Sequence, residues 1–278
     1  MSGWNVLPEK TLVEFLRPVV TCIHFMTDNQ TLPLSDRVAI VTGASSGLGA
    51  RFAAVLANAG AEVVAAARRI ELVNAVAELN PRIHPFACDV TLPESRESLV
   101  SFAAERFGTI DICVNNAGVS SGGAKEQATV LAFESVLQVN LTALFALSQL
   151  VGAVMRERGS GSIINISSMF GTVASTPYPD AGYVASKSAV NGLTRELAVQ
   201  WARKGVRVNA IAPGWFESEM NSALLRHEPS REYVEANCPM GRIGRLDEFD
   251  GALLFLASDA SSYCTGQVIA VDGGSTVK

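Results

Sequence analysis

The sequence predicts an α/β fold: a single Rossmann-type, doubly wound parallel sheet of about seven strands with helices on both faces. Short segments that are apolar at nearly every position recur along the chain, which is typical of strands covered on both sides. Helix-length segments separate most of them, and this alternation favours a parallel sheet. A glycine-rich turn follows the first apolar run, as expected where a strand passes into a helix that binds an anion.

The predicted elements follow this alternation in chain order. We predict strands at Val38–Val41, Glu62–Ala67, Ile83–Ala87, Ile110–Val114, Ser162–Ile166, Val206–Ile211 and Gln267–Val271. We predict helices at Gly49–Ala59, Glu94–Phe107, Val130–Arg158 and Ala181–Arg203. No internal repeat or low-complexity segment interrupts the series.

The first residues do not share this alternation. Residues 1–34 contain three prolines and a second methionine, Met26. We therefore divide the chain into an N-terminal extension, residues 1–34, and a single domain, residues 35–278. A chain of 278 residues that is 48% hydrophobic suits one substantial core rather than two large domains. Our hypothesis is that residues 1–25 derive from an upstream start codon and lie outside the core.

Composition and charge argue against several kinds of partner. The formal net charge of −5 disfavours nonspecific binding to phosphates, so we predict no nucleic-acid partner. No unbroken apolar run reaches the roughly 18 residues that span a bilayer, and the first residues lack a secretion signal. We therefore predict no membrane partner and a cytoplasmic location. The five cysteines are widely spaced and the three histidines have no metal-ligand neighbour, so we predict reduced thiols and no metal.

The glycine-rich turn is the first candidate binding site. Glycines let the backbone turn tightly and let a pyrophosphate approach the N–H groups at a helix start. The spacing Gly-x-x-x-Gly-x-Gly differs from the more familiar Gly-x-Gly-x-x-Gly. An ordinary glycine-rich turn is the alternative interpretation. The candidate cofactor-binding residues here are Gly43, Ser45, Ser46, Gly47, Leu48 and Gly49.

The end of the second strand predicts the choice of cofactor. Arg68 and Arg69 follow Ala67 directly, with no carboxylate before Glu71. In a Rossmann-like sheet this end faces the adenosine ribose, where arginine suits a 2′-phosphate. We predict that NADP is preferred and that NAD is possible, because Ser46 stands where a basic residue would strengthen the preference. The alternative is that the arginines only form the solvated start of the next helix.

One predicted helix and two further strand ends carry candidate chemistry. Tyr183 and Lys187 lie one helical turn apart, so a nearby ammonium, together with an oxidised nicotinamide, favours the phenolate and lowers the tyrosine pKa. Ser168 follows the fifth strand, where a hydroxyl can bond a carbonyl oxygen as negative charge develops. A surface pair and a loop-capping serine are the alternatives. Small residues after the fourth strand would let a ring or ribose approach closely: Asn116, Ala117 and Gly118.

These motifs, in this order, resemble those of the short-chain dehydrogenase/reductase family over about residues 36–274. The resemblance implies an NAD(P)-dependent oxidoreductase that moves a hydride between nicotinamide and a ketone or secondary alcohol. It implies that Tyr183 is the acid/base, that Lys187 binds the nicotinamide ribose and that Asn140 holds a water linking Lys187 to solvent. It also implies cofactor contacts from Asp89, Val90, Pro213, Gly214, Phe216 and Ser218.

The sequence departs from the family pattern at one catalytic spacing. Ser168 precedes Tyr183 by fifteen residues, whereas the family usually has thirteen, so Ser167 is the alternative catalytic serine. Among family members the chain is similar to 3-oxoacyl-carrier-protein reductase-like and gluconate 5-dehydrogenase-like proteins. A cofactor-binding regulator without turnover and an extended-type epimerase or dehydratase are the competing functions. An intact catalytic set argues against the regulator, and a short C-terminal region argues against the epimerase.

Substrate and assembly are predicted from position and resemblance. Positions just beyond the strand ends suggest a mostly apolar pocket, which favours a moderately hydrophobic or cyclic ketone. Met220 and Leu224 could instead form the core stripe of a lid helix. The resemblance implies a homotetramer or homodimer that pairs the helices at Val130–Arg158 and Ala181–Arg203. The candidate pocket residues are Ser120, Met169, Phe170, Tyr178, Trp215, Phe216, Met220 and Leu224.

Overall fold

The computed structural model describes residues 32–121, 129–219 and 221–278. Within them, a parallel sheet runs in the order β3-β2-β1-β4-β5-β6-β7, so the predicted fold class is confirmed. The strands are β1 (Val38–Thr42), β2 (Glu62–Ala67), β3 (Ile83–Ala87), β4 (Ile112–Asn115), β5 (Gly161–Ile166), β6 (Val206–Pro213) and β7 (Val268–Val271). Predicted and observed strand bounds differ by at most two residues, which is the usual uncertainty at element ends.

The helices cover both faces of this sheet. They are α1 (Gly47–Asn58), α2 (Ile70–Ala77), α3 (Pro93–Phe107), α4 (Val130–Leu137), α5 (Leu144–Arg158), α6 (Ala181–Trp201), α7 (Ser222–Leu225), α8 (Glu228–Ala236) and α9 (Asp250–Ala257). The predicted helix at residues 130–158 is interrupted by a π-helical segment, Gln138–Ala143. The sequence prediction gave no bounds for α2, α8 and α9, and it named a helix near α7 only as the alternative lid helix. These segments are short or have closely spaced apolar residues, so they lack a clear periodic pattern.

Alternating residues of β1 enter two separate cores. Ala39 and Val41 of β1 pack into one cluster with α1 and α9, whereas Ile40 packs into the other with α3 and α5. Both clusters consist of fully or nearly fully buried side chains. The inner strands β1, β2, β4 and β5 are therefore apolar at successive positions because both of their faces are buried, as the sequence predicts. The edge strands β3 and β7 are less buried.

The predicted N-terminal boundary can be compared with the structure only in part. Residues 1–31 lie outside the described residues, and so does the hypothesis about residues 1–25. Leu34, which we assigned to the extension, is completely buried and belongs to the core beside α1. Its backbone N–H donates to the Ala59 carbonyl at 2.9 Å. The packed chain thus includes at least one residue before position 35.

The span from α4 through α5 is unusually apolar. Among the described residues, Val130–Arg158 is long and apolar enough by length and mean hydropathy to cross a membrane. Our prediction considered only unbroken apolar runs, and polar residues such as Gln138 and Asn140 interrupt this one. In the fold, α4 contacts α6, and α5 contacts α3 and the sheet. The span is therefore part of the packed α/β domain.

The strand order places a crevice at the carboxyl edge of the sheet. β1 pairs with β2 on one side and with β4 on the other. From β1 the chain first adds β2 and β3 on one side of the sheet, and then returns to add β4 to β7 on the other side. This change of direction makes a topological switch point. Ligands of open α/β sheets bind just beyond the strand ends at such a point. The predicted site residues follow these ends.

Candidate active site

The turn between β1 and α1 forms the floor of the crevice. Gly43 and Gly47 have φ values of 66° and 54°, in the left-handed region that side chains other than glycine adopt at a cost. Ser45 and Ser46 lie between these two glycines, and α1 begins at Gly47 with Ser46 at its N-cap position. The unpaired N–H groups of the first helical turn therefore face the crevice, as anion binding requires.

Asn116 ties this turn to the end of β4. Its side-chain amide donates to the carbonyl of Thr42 at 2.9 Å. The Thr42 hydroxyl accepts the backbone N–H groups of Asn116 and Ala117, both at 3.1 Å. The Asn116 side chain thus holds two strand ends together, and it shapes the predicted cofactor site through the backbone.

Lys187 brings a buried positive charge to the same edge. Its ammonium donates to the carbonyl of Ile166 at 2.7 Å and lies 5.6 Å from the centre of the Tyr183 ring. The residue is only 4% exposed, and burial lowers the pKa of Lys187 to about 8. The helix α6 therefore presents Tyr183 and Lys187 together, as their spacing predicts.

The pKa of Tyr183 differs from the sequence prediction. We expected the neighbouring ammonium and an oxidised nicotinamide together to lower it; without the cofactor, burial raises the pKa of this phenol, and the charge of Asp180 raises it further. A hydrogen bond with Ser168 acts in the opposite direction. In the chain alone, removal of the phenol from water outweighs the groups that favour the phenolate.

The two candidate serines have different surroundings. Ser168 is hydrogen-bonded to Tyr183, and its hydroxyl also accepts the N–H of Phe170 at 3.2 Å. Ser167 points away, because its hydroxyl donates to the Asn191 side chain at 2.6 Å and to the Lys187 carbonyl at 3.2 Å. The structure therefore brings Ser168, and not Ser167, to the tyrosine.

Asn140 lies at the centre of the π-helical segment and is completely buried. Its amide donates to the Val119 carbonyl at 2.8 Å and to the Ser186 hydroxyl at 3.0 Å, and its oxygen accepts the Val119 N–H at 2.8 Å. Both N–H donors of this side chain are thus used within the protein. Asn140 fixes the loop after β4 against α6, and its water-binding role stays a prediction.

The Asp180 side chain also fixes the start of α6, and the sequence prediction missed this residue. The Asp180 carboxylate accepts the N–H of Tyr183 at 3.0 Å and the N–H of Ser121 at 2.8 Å. It therefore caps the catalytic helix and holds the loop after β4. An aspartate directly before a helical segment is a recognised N-cap signal, so this residue could have been found from the sequence.

The adenosine end of the crevice carries both predicted arginines. Arg68 is exposed. Hydrogen bonds from Thr91 to the Asp89 carboxylate hold the pKa of Asp89 below its usual value, and the charge of Arg68 lowers it further. Val90 accepts a hydrogen bond from Arg96 at 2.6 Å through its carbonyl. Arg69 instead turns toward the glycine-rich turn, where it contacts the Ser45 and Ser46 hydroxyls at 3.1 Å each.

The segment after β6 closes over the turn. Pro213 ends β6, and Gly214 lies so close to the last strand that a Cβ there would be 2.6 Å from Asp272 Cα. Ser218 is bonded to Asn221, whose side-chain oxygen accepts its N–H at 2.9 Å and its hydroxyl at 3.1 Å. Asn221 also donates to the Phe216 carbonyl at 2.6 Å. The sequence prediction missed Asn221, which in this structure holds the groups expected to meet the carboxamide.

The predicted substrate pocket is partly assembled. The rings of Phe170 and Trp215 meet edge to face with centroids 5.7 Å apart, and the Tyr178 hydroxyl is hydrogen-bonded to Ser230. Ser120 and Leu224 are half-buried. Met220 lies outside the described residues.

Two predicted pocket residues belong to the core instead. Met169 is only 4% exposed. Phe216 is 5% exposed and packs on Phe249 with ring centroids 4.1 Å apart. Both were assigned from their position after a strand, which does not reveal the direction of the side chain. Only the backbone of Phe216 remains available to a ligand.

The residues of the crevice fit a nicotinamide dinucleotide. An ammonium has three N–H donors, and that of Lys187 stands beside Gly118, where a Cβ would lie 3.6 Å from the nitrogen and 3.3 Å from Asn140 Oδ1. The absence of a side chain at Gly118 leaves room for a ribose next to that ammonium. The glycine-rich helix start supplies N–H donors for the pyrophosphate, at the switch point of the sheet. Fold and site together define an NAD(P)-dependent oxidoreductase.

Comparisons with known proteins agree with this class. A family model described as "Enoyl-(Acyl carrier protein) reductase" matches residues 43–276. A 3-oxoacyl-acyl-carrier-protein reductase of Thermotoga maritima is 36% identical over 245 residues, which are 87% of this chain and 98% of the relative. A cis-4-hydroxycyclohexanecarboxylate dehydrogenase of Sinomonas cyclohexanicum is 37% identical over 87% of this chain and 97% of its own length.

A solved structure is similar over the same region. The crystal structure from Beutenbergia cavernae described as an NAD(P)-dependent gluconate 5-dehydrogenase, with NADP bound at low occupancy, is 37% identical. It superposes with a TM-score of 0.82 and covers 90% of this chain and all of that chain. The chain belongs to the short-chain dehydrogenase/reductase family. Its relatives act on alcohols and ketones, which supports an oxidoreductase and not the cofactor-binding regulator.

Proposed function

We propose that Tyr183 is the acid/base of this oxidoreductase, that Ser168 binds the reacting oxygen and that Lys187 binds the nicotinamide ribose. The observation that carries the proposal is the convergence of these groups. The Ser168 side chain interacts with the Tyr183 phenol and lowers its pKa, and the Lys187 ammonium lies 5.6 Å from the same ring. A proton donor, an oxyanion donor and a fixed cation are the groups that carbonyl reduction requires.

The nicotinamide, when bound, supplies or accepts the hydride. Tyr183 then gives its proton to the carbonyl oxygen in reduction, and burial favours the protonated phenol that this step needs. In oxidation the same oxygen accepts the alcohol proton, so it must first become a phenolate. Alkaline pH and the interaction with the Ser168 side chain favour that form. Asn140 and Asp180 act as positioning residues, because they hold the loop after β4 and the start of α6.

Tyr183→Phe tests the catalytic assignment. A panel of ketones and secondary alcohols, run with each cofactor, identifies the best substrate. On that substrate we expect the variant to lose kcat by about 10²- to 10⁴-fold, because the proton donor is gone while the ring remains. Cofactor Kd, measured by NADPH fluorescence, should stay within about twofold.

Tyr233→Phe, an exposed tyrosine of α8, is the matched control and should behave like the wild type. If Tyr183→Phe retains most of the wild-type kcat, the assignment is wrong. If NADPH binds without turnover across the whole panel, a regulatory role replaces catalysis.

We propose NADP(H) as the preferred cofactor. Arg68 and Arg69 both lie at the adenosine end, directly after β2. A guanidinium can place its planar fork against a 2′-phosphate, which NAD lacks. Ala67 at the strand end carries no carboxylate that would repel this phosphate.

We propose a moderately hydrophobic or cyclic ketone, or the corresponding alcohol, as the substrate. Support comes from the paired rings of Phe170 and Trp215 beside the catalytic groups. The relative that acts on a hydroxycyclohexanecarboxylate agrees with this proposal. Preferential turnover of polyhydroxylated acids, such as gluconate, would contradict it.

We also propose a homodimer or homotetramer in the cytoplasm, with an NAD(P)-binding domain that comprises residues 35–278 and at least Leu34 before them. Large apolar side chains are exposed on the helices that would pair: Val130 is 72% exposed, Leu131 77% and Val199 79%. Apolar surface of this kind is typical of a protein contact.

A further inference from the structure

A carboxylate of the chain itself lies within the adenosine end of the crevice. Glu219 belongs to the segment after β6, yet its two oxygens pair with the two terminal nitrogens of Arg69, both at 2.7 Å. The Ser46 hydroxyl donates to the same carboxylate at 2.8 Å. This is a two-pronged arginine–carboxylate pair with an added hydroxyl, which is the donor set that a phosphate would also use.

The position of this carboxylate matters as much as its partners. Arg69 follows β2, where the adenosine ribose of a dinucleotide lies in sheets of this kind. Ser46 is the N-cap residue of α1, where the phosphates approach. Ser218 lies over the turn as well, because a Cβ on Gly47 would be 3.8 Å from its Cβ. Glu219 thus bridges the two walls of the crevice.

We propose that Glu219 is a built-in competitor for the 2′-phosphate of NADP(H): its carboxylate occupies the arginine until the cofactor displaces it. This inference rests on the proposed placement of the 2′-phosphate beside the arginines after β2. Glu219 thereby reduces the affinity for NADP(H) and sets how strongly the enzyme distinguishes the two cofactors. The larger charge of the phosphate, together with the other cofactor contacts, lets NADP(H) win the exchange.

The Glu219 carboxylate competes with the phosphate for Arg69 at every physiological pH and does not act as a pH switch. Its hydrogen bonds with Arg69 hold the pKa of Glu219 at about 2, so the carboxylate is charged throughout the physiological range. Both side chains are about half exposed, Arg69 47% and Glu219 53%. Water and salt therefore screen the pair, and the competition is expected to be worth a few-fold in affinity.

Glu219→Gln tests the proposal, because the amide keeps the shape of the side chain and removes its charge. Kd values for NADPH and NADH are measured by fluorescence or calorimetry on the wild type and on the variant. We expect Glu219→Gln to bind NADPH about three- to fivefold more tightly. The Kd for NADH should change by less than about 1.5-fold, because NADH brings no phosphate to Arg69.

Salt dependence gives a second readout that a merely structural role would not change. In the wild type the phosphate replaces a carboxylate on Arg69, so one ion pair is exchanged for another. In Glu219→Gln the phosphate meets an arginine without that counter-charge. The NADPH Kd should therefore rise more steeply with salt in the variant than in the wild type.

Glu217→Gln is the matched control, since Glu217 is an exposed carboxylate two residues earlier in the same segment. It should leave both Kd values and the salt dependence unchanged. An unchanged or weaker NADPH affinity in Glu219→Gln would overturn the proposal, and so would equal tightening of NADPH and NADH. The wild-type ratio of the two Kd values tests the cofactor preference separately. A wild type that favours NADH would therefore refute that preference without deciding the role of Glu219.

Discussion

At the scale of single residues, two adjacent serines have different expected functions. The Ser168 side chain interacts with the Tyr183 phenol. Ser167 is 1% exposed, and its hydroxyl is hydrogen-bonded to the Asn191 side chain and the Lys187 carbonyl. Their hydroxyls leave the chain one residue apart after an extended strand, so they point to opposite sides. The Ser168 side chain is directed toward Tyr183, and the Ser167 side chain is part of the packing behind α6.

Alanine substitutions should separate these roles. Ser168→Ala removes an oxyanion donor, so we expect kcat to fall by about 10²- to 10³-fold with little change in Tm. Ser167→Ala leaves buried groups without a partner, so we expect a loss of about 1–3 kcal/mol in unfolding free energy. Steady-state kinetics and chemical denaturation measure the two effects. Full activity in Ser168→Ala would show that the hydroxyl beside Tyr183 has no catalytic part.

The cofactor preference is also argued at the residue scale. Arg68→Ala should weaken NADPH binding by at least about tenfold and leave NADH almost unchanged, because a charge-assisted bond to phosphate contributes about 1.5–3 kcal/mol. Titrations with each cofactor measure this. Arg203→Ala, an exposed arginine just after α6, controls for the loss of one positive charge. Equal losses for both cofactors would mean that Arg68 only forms the solvated start of α2.

At the scale of elements, a polar contact joins the loop after β5 to α8. Tyr178, in the loop after β5, is hydrogen-bonded to Ser230 of α8. Ser230 is 6% exposed and is also bonded to His227 at 2.8 Å. This contact joins two segments that are far apart in sequence and that flank the paired rings of Phe170 and Trp215.

Removing that contact should affect substrate binding more than chemistry. We expect Ser230→Ala to raise KM about fivefold with kcat nearly unchanged, which corresponds to a hydrogen bond of about 1 kcal/mol. Tyr178→Phe should have a similar effect, and the double variant should add little, because both changes remove the same bond. Kinetics on the best substrate measure this. Fully additive losses would show that the two side chains act independently.

At the scale of the whole molecule, the exposed helix faces predict an assembly. Light scattering at micromolar concentration should give a mass of at least two chains of 29.4 kDa. Leu131→Glu places a charge on the apolar face of α4 and should lower that mass. Leu79→Glu, a partly exposed leucine after α2, serves as the control and should leave it unchanged. A wild-type mass near one chain would contradict the predicted assembly.

The sequence by itself determined the fold class and the proximity of Tyr183 and Lys187. Continuous apolar runs predict strands buried on both faces, and both faces of β1 are indeed packed. Tyr183 and Lys187 are neighbours on one helix, so their proximity follows from helical geometry alone. The glycine-rich turn follows in the same way from its position between a strand and a helix. These are local relations, which the order of residues specifies directly.

Only the tertiary structure decided which way the other side chains point and what meets across the crevice. Phe216 and Met169 follow strand ends as predicted, yet their side chains enter the core. The distinction between Ser167 and Ser168 depends on the placement of α6. The contact of Arg69 with Glu219 joins residues 150 positions apart. No pattern in the sequence brings such residues together, because their distance is set by how the segment after β6 packs against the glycine-rich turn.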